Sequence, residues 1–178
     1  ETALQRQVPP MTFHDLAHVM IDVASAMEAA HAAGVVHRDL KPANIFLHRT
    51  KTGVRPTVLD FGVAKFRNTP LEPDLTIAGT VLGSPLYMSP EQARGETDVD
   101  GRADIFAYGG MLFEAITGHR AFEAKNFNAL IVKIATTRPK SIDEEAPQLP
   151  ESLRRVVRAC LEPALDKRAP SFTKVIAL

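Results

Sequence analysis

The sequence has no tryptophan, only two tyrosines, and a single cysteine among 178 residues. One thiol cannot close a disulfide within the chain, which fits a reducing, cytoplasmic setting. Its 21 basic and 21 acidic side chains cancel, so there is no electrostatic footprint for nucleic acid or for an anionic membrane surface. No stretch approaches the roughly 18 uninterrupted apolar residues that a membrane span needs. The start lacks the basic-then-apolar order of a signal peptide. Internal repeats and low-complexity tracts are also missing. What is present, 45% hydrophobic and 24% charged residues, describes an ordinary soluble globule rather than a disordered chain. A chain of this length buries roughly 70% of its unfolded surface, enough for one domain with a real core. Glu1 rather than methionine stands first, which points to a start cut from something longer.

Helical periodicity is clearest near the beginning. Thr12 sits three residues ahead of Asp15, a relative of the capping box. Leu16, Val19, Met20, Val23, Met27 and Ala30 then recur at helical spacing, and Gly34 is placed to stop the helix. Short β-like pieces are expected at 35–37, 45–47 and 57–59, broken by turn chemistry around Pro42, Gly53 and Pro56. A loop-rich stretch runs from about 67 to 101, and loops of that length are commonly functional. Residues 103–117 are apolar nearly all round, which predicts a buried helix closed by Gly118. Phe127, Leu130, Ile131 and Ile134 mark another helix, and Leu153, Val156, Val157, Cys160 and Leu161 a further one. Val175 and Ile176 begin a last helix that the chain end cuts off. The fold class expected is mainly α with small β-hairpins.

The loops carry the chemistry. The first β-like piece runs into His37-Arg38-Asp39-Leu40-Lys41-Pro42-Ala43-Asn44, and the third delivers Asp60-Phe61-Gly62. Asn44 and Asp60 are the hard oxygen ligands that magnesium accepts, usually one or two protein groups with phosphate oxygens and water. Lys41 lies two residues from Asp39, so on an extended loop both side chains point the same way. A lysine there neutralises a phosphate while Asp39 takes a proton from an attacking hydroxyl. These residues together suggest metal-assisted phosphoryl transfer to an alcohol.

In this order, with Ser89-Pro90-Glu91 downstream, the motifs resemble those of the protein kinases. Lysine at position 41 resembles the serine/threonine type, and the stretch from Gly83 to Gly95 is most similar to the bacterial branch of eukaryotic-like serine/threonine kinases. The resemblance implies that Asp39 is the catalytic base, that Lys41 contacts the transferred phosphate of ATP, and that Asn44 and Asp60 hold Mg2+. It implies protein substrates with serine or threonine hydroxyls, a catalytic loop over 37–44 and an activation segment over 60–91. It pairs His37 with Phe61 in a hydrophobic spine beside Gly62. It makes Asp104 the anchor of the catalytic-loop backbone, and Glu91 with Arg168 a buried ion pair. Arg38 beside Asp39 marks an activation loop ordered by phosphorylation, since a phosphate brings roughly two negative charges for an arginine to pair. Thr76 is the favoured acceptor, Thr80 the second and Thr69 a further candidate, whereas Ser84 keeps a hydroxyl where threonine is commoner.

Some positions depart from the family pattern. Ala164 and Leu165 replace the usual Asp-Pro four residues before Arg168. The Asn44-to-Asp60 spacing is slightly long, so a hairpin bearing His48, Arg49, Lys51 and Arg55 is expected to protrude, its basic charge favouring a solvated turn over a docking site. No G-x-G-x-x-G loop and no V-A-I-K-like strand occurs. The whole of 1–178 is therefore expected to be the C-terminal lobe of the two-lobed kinase fold, without its N-terminal lobe, and inactive on its own. The competing reading is a pseudokinase or protein-binding scaffold, and the presence of Asp39, Asn44 and Asp60 argues against it. A small-molecule phosphotransferase shares the Asp-to-Asn spacing but fits poorly with the remaining motifs.

Other residues have plainer readings. His14 and His18 stand at i and i+4 without a third metal ligand, which favours a solvated helix face. His31 and His119 are expected to be ordinary surface or interface residues. Asp98, Asp100 and Asp104 lack the glycine position and final glutamate of a calcium loop. Cys160 falls on an apolar stripe and reads as a buried structural thiol. Phe46 either helps floor an adenine pocket or belongs to the core.

Overall fold

A computed structural model describes residues 12–50, 53–61 and 85–178 of the chain. Helix α1 (Phe13–Ala32) begins in a complete capping box: the Asp15 amide donates to Thr12 Oγ1 at 3.1 Å, and the Thr12 amide donates to Asp15 Oδ2 at 3.2 Å. Aspartate thus does the work usually given to glutamate. Val19, Met20, Val23, Ala24 and Met27 are its buried stripe. Gly34 ends it with φ at 76°, its amide donating to His31 O and the Val35 amide to Ala30 O, both at 2.9 Å. That crossed pair of bonds needs a left-handed residue, which glycine adopts without steric cost.

The expected strand at 35–37 does not form. Two of its backbone donors are spent elsewhere, the Val35 amide on Ala30 O and the His37 amide as described below. Strand pairing starts after a short 3-10 turn at Pro42–Asn44. Strands β1 (Ile45–Thr50) and β2 (Gly53–Val58) form one antiparallel hairpin, with Ile45 opposite Val58 and Thr50 opposite Gly53. Both are longer than the three-residue pieces expected. Val54, Pro56 and Val58 face inward on β2, which lies against α1. Both strands are edges, so Pro56 breaks no central ladder. His48, Arg49 and Arg55 are exposed on the hairpin.

Within the expected loop of 67–101, a 3-10 turn (Pro85–Tyr87) and helix α2 (Pro90–Ala93) are present. Helix α3 (Arg102–Thr117) is the axis of the core, and every residue from 103 to 113 is buried. Gly118, with φ at 72°, caps it. Helices α4 (Phe127–Thr136), α5 (Ile142–Glu145), α6 (Glu151–Cys160) and α7 (Phe172–Ile176) complete the fold. The last helix is capped by Ser171 and starts before Val175. Phe106, Phe113, Phe122 and Phe172 are wholly buried, and each contributes about 1.5–3 kcal/mol by leaving water. A Cβ on Gly109 would lie 2.6 Å from Cys160 Cβ, so that glycine lets α3 and α6 approach closely. Among the described residues, no helix is long and apolar enough to cross a membrane.

Candidate active site

The segment after α1 is held by one side chain far away in sequence. Asp104, 1% exposed in the first turn of α3, accepts the His37 amide on Oδ2 at 2.8 Å and the Arg38 amide on Oδ1 at 2.7 Å. The His37 amide is one that a strand at 35–37 would have used, and the Val35 amide is spent on Ala30 O. His31 Nε2 lies 2.8 Å from the same Oδ2, and its ring packs on Phe172. Of the surface and interface positions expected for His31, the structure gives the interface: the ring completes the support of the loop anchor.

His37 is fully buried. Its Nε2 donates to Leu59 O at 2.9 Å, which leaves Nδ1 to accept the Asp39 amide at 3.3 Å. The ring also meets Phe61 at 4.8 Å between centroids, so the pairing expected of these two residues is present. The Leu59 amide donates to Asn44 O at 2.8 Å. Leu59 thus fastens the end of β2 to the loop, and Asp60 follows it directly.

Asp39, Lys41 and Asn44 come together within this frame. Lys41 Nζ donates to Asp39 Oδ2 at 2.9 Å. Asn44 Nδ2 donates to Asp39 O at 2.8 Å, with Asp39 Oδ2 at 3.5 Å. Asn44 is buried, and with its nitrogen committed, its carboxamide oxygen is the atom suited to a hard cation. Asp60 is exposed at the end of β2. Arg38 and Asp60, with φ at 64° and 53°, are the two non-glycine residues with positive φ among the described residues. Left-handed backbone at such residues costs of order 1–3 kcal/mol each and gathers at functional sites.

A second assembly braces the loop from the side of α2. Glu91 and Arg168, both nearly inaccessible, form two parallel hydrogen bonds of 2.7 and 3.0 Å. Arg168 also donates to the carbonyls of Glu162 and Arg102, at 2.9 Å each, and its guanidinium lies 4.9 Å from the Phe106 ring centre. Burial pushes the Glu91 carboxyl up, but the bonds and charge of Arg168 outweigh it and hold the group below its ordinary range. The segment 162–168 closes on Arg168 without the Asp-Pro pair. Tyr87 Oη donates to Glu114 Oε2 at 2.5 Å, tying the segment before α2 to α3. Burial, reinforced by Glu114, raises the Tyr87 phenol. Gln92 joins α2 to the loop through a hydrogen bond to Arg38 O. Sequence reasoning passed over Gln92, although Ser89-x-x-Gln92 is a readable helix-start signal.

The remaining candidates are placed as follows. Gly62, Thr69, Thr76, Thr80, Ser84 and Lys51 lie outside the described residues. His14 and His18 are exposed, their Nε2 atoms 3.1 Å apart. His119 is exposed beside Glu145. Asp100 is bound by Arg102, whose hydrogen bonds lower its carboxyl. Cys160 is buried, and burial pushes its thiol up to about 12. Phe46 is 53% exposed, so it is not core.

The chain's likeness to known proteins agrees with this geometry. A family model described as protein kinase domain matches residues 1–177. Serine/threonine-protein kinase Pkn1 of Myxococcus xanthus is 37% identical over 165 residues, covering 92% of this chain and 23% of its own length. Serine/threonine-protein kinase AfsK of Streptomyces coelicolor is 36% identical over 154 residues, covering 86% and 18% respectively. The chain spans less than a third of the length of the curated relatives it matches. The crystal structure of Rad53 1-466 in complex with AMP-PNP superimposes with a TM-score of 0.67 at 22% identity, over 93% of this chain and 39% of that one, a likeness of fold alone.

Proposed function

The chain belongs to the protein kinase domain family, and from that premise we propose that residues 1–178 are the C-terminal lobe of a bacterial-type serine/threonine kinase domain. The parent protein transfers the γ-phosphate of ATP to serine and threonine hydroxyls of protein substrates. The catalytic loop is 37–44, and the activation segment is 60–91. The observation that carries this reading is the Asp39 carboxylate beside Lys41 at 2.9 Å, on a backbone fixed by Asn44 and Asp104.

Asp39 orients the acceptor hydroxyl and takes its proton as the oxygen attacks phosphorus. Lys41, close enough to pair with Asp39, neutralises charge on the phosphoryl group in transit. Asn44 and Asp60 supply a carboxamide oxygen and a carboxylate, a donor set that fits Mg2+, which when bound offsets phosphate charge. The frame keeps these groups in register, since a misplacement of about 1 Å costs on the order of 100-fold in rate. Arg38 receives the activating phosphate, with Thr76 and then Thr80 as acceptors. The phosphate-covering lobe lies in sequence other than these 178 residues, so the isolated chain does not transfer phosphate.

The test is transfer of labelled γ-phosphate from Mg-ATP to a generic serine/threonine substrate by the full-length protein. Asp39→Asn is expected to lower it by about 10²–10⁴-fold. A folded full-length protein without transfer, before and after pre-phosphorylation, overturns the enzyme reading in favour of a scaffold. Efficient transfer by residues 1–178 alone overturns the lobe assignment.

A further inference from the structure

We infer that Gln92 is a positioning residue for Asp39: it clamps the peptide group that enters the base, and so links the end of the activation segment to catalysis. The inference rests on the kinase reading above. Gln92 Nε2 donates to Arg38 O at 2.8 Å, while Gln92 Oε1 accepts from the amide and the hydroxyl of Ser89, both at 3.1 Å. Only one orientation of the carboxamide allows this. Turned over, it would set its oxygen against a carbonyl and its NH2 against the donors of Ser89.

Arg38 O belongs to the peptide that joins Arg38 to Asp39. The other end of that peptide, the Asp39 amide, is held by His37 Nδ1. The next peptide is held at Asp39 O by Asn44. Both peptides flanking the base are therefore gripped by side chains, and the one before it follows an arginine at φ 64°. A left-handed non-glycine residue persists only where its surroundings over-determine it. Asp104 fixes the amide side of Arg38, and Gln92 fixes the carbonyl side. The clamp comes from α2, whose first turn also carries Glu91 of the buried ion pair. A rotation of α2 moves Gln92 off Arg38 O and releases the peptide that aims Asp39. The placement of α2 is thus read at the base through the Gln92 carboxamide.

Glutamate at position 92 separates this role from helix capping. It keeps an acceptor for Ser89 but loses the donor to Arg38 O. When ionised, it sets a carboxylate oxygen against a carbonyl; when protonated, its O–H restores a donor. In the full-length protein, Gln92→Glu is expected to lower kcat by roughly tenfold or more at pH 8 with KM for ATP within about twofold. The ratio of its kcat to that of wild type is expected to rise as the pH falls from about 8 to 5.5, through the range of a buried carboxyl. Gln92→Met, similar in shape and unable to donate at any pH, is expected to keep its deficit across that range. A Gln92→Glu ratio near one, or a deficit that does not narrow in acid, overturns the inference. Hydrogen exchange separates this outcome from failure of the kinase reading. Whether or not wild type transfers phosphate, Gln92→Met is expected to speed exchange at the Asp39 amide, with α1 and α3 unchanged. Unaltered exchange there overturns the clamp.

Discussion

The guanidinium of Arg168 grips the carboxylate of Glu91 with two parallel hydrogen bonds of 2.7 and 3.0 Å, in a place where neither side chain meets solvent to any extent. A pair so buried gains little over an apolar pair of the same shape, but removing one partner strands the other charge. Because Arg168 also donates to the carbonyls of Glu162, Pro163 and Arg102, its loss undoes four connections at once.

Arg168→Met is therefore expected to destabilise the domain by about 3–5 kcal/mol at neutral pH, read as a lower unfolding midpoint. The sign with pH follows from Glu91, whose folded carboxyl lies below its ordinary range. Its contribution is complete above that range and is lost as pH falls through the folded value. Without Arg168 the buried carboxyl is raised instead, so acid favours the folded variant relative to wild type. The gap between the two is expected to shrink below about pH 5. An equal midpoint at neutral pH, or a gap that widens in acid, counts against the pair.

Gly101 and His31 give a steric test of the loop anchor. A Cβ on Gly101 would meet His31 Nδ1 and Cε1 at 2.7 Å. Gly101 has φ at −61°, open to any residue, so the penalty of Gly101→Ala is purely one of contact. Overpacking of this kind costs about 1–3 kcal/mol, and it displaces the ring that supports Asp104. His31→Ala removes the obstacle. The double variant is expected to be more stable than the sum of the single effects, by about 1 kcal/mol in a thermodynamic cycle. Strict additivity would show that the two positions do not meet.

Much of this architecture was legible because it is local. The Thr12–Asp15 box, the stripe of α1, the stop at Gly34 and the apolar run of α3 all follow from neighbours within a few residues. The failures have distant causes. The amide of His37 is taken by Asp104, so an apolar run that reads as strand loses a ladder donor to a residue 67 positions away. His31 reads as an ordinary surface or interface residue, its role beside Asp104 hidden because that partner lies 73 positions away. Helix α2, four residues long, is too short for periodicity, and only its Ser89–Gln92 cap betrays it. The roles proposed for Asp39, Asn44 and Asp60 rest on motif order, while the backbone leading into Asp39 is held by the Asp104 anchor that periodicity could not reveal.

Cys160 offers a probe of the core. Its thiol is pushed up to about 12 by burial, with Arg168 acting weakly the other way. At pH 8 the thiolate that reacts with electrophiles is scarce, and the sulfur is shut between α6 and α3. A disulfide reagent is expected to leave Cys160 unlabelled for hours under native conditions, by mass mapping, and to label it as denaturant opens the domain. Labelling within minutes in the native state would show that α3 and α6 separate readily.

Phe46 is the place where exposure itself makes a prediction. It lies two residues beyond Asn44, is 53% exposed, and touches the His48 ring at 4.6 Å between centroids. Val35, Leu47 and Leu59 are also exposed, at 38%, 40% and 40%. A single exposed apolar residue needs no explanation, but a large ring beside the proposed metal ligands is well placed to lie under an adenine. Truncating it removes little packing, so Phe46→Ala is expected to change stability by less than about 0.5 kcal/mol. In the full-length protein, KM for ATP is expected to rise about tenfold with kcat nearly constant, the pattern of lost ground-state binding. Phe46→Leu, which keeps an apolar floor, is expected to recover most of the affinity. An unchanged KM in Phe46→Ala would remove this ring from the nucleotide site and leave the exposed face to some other contact.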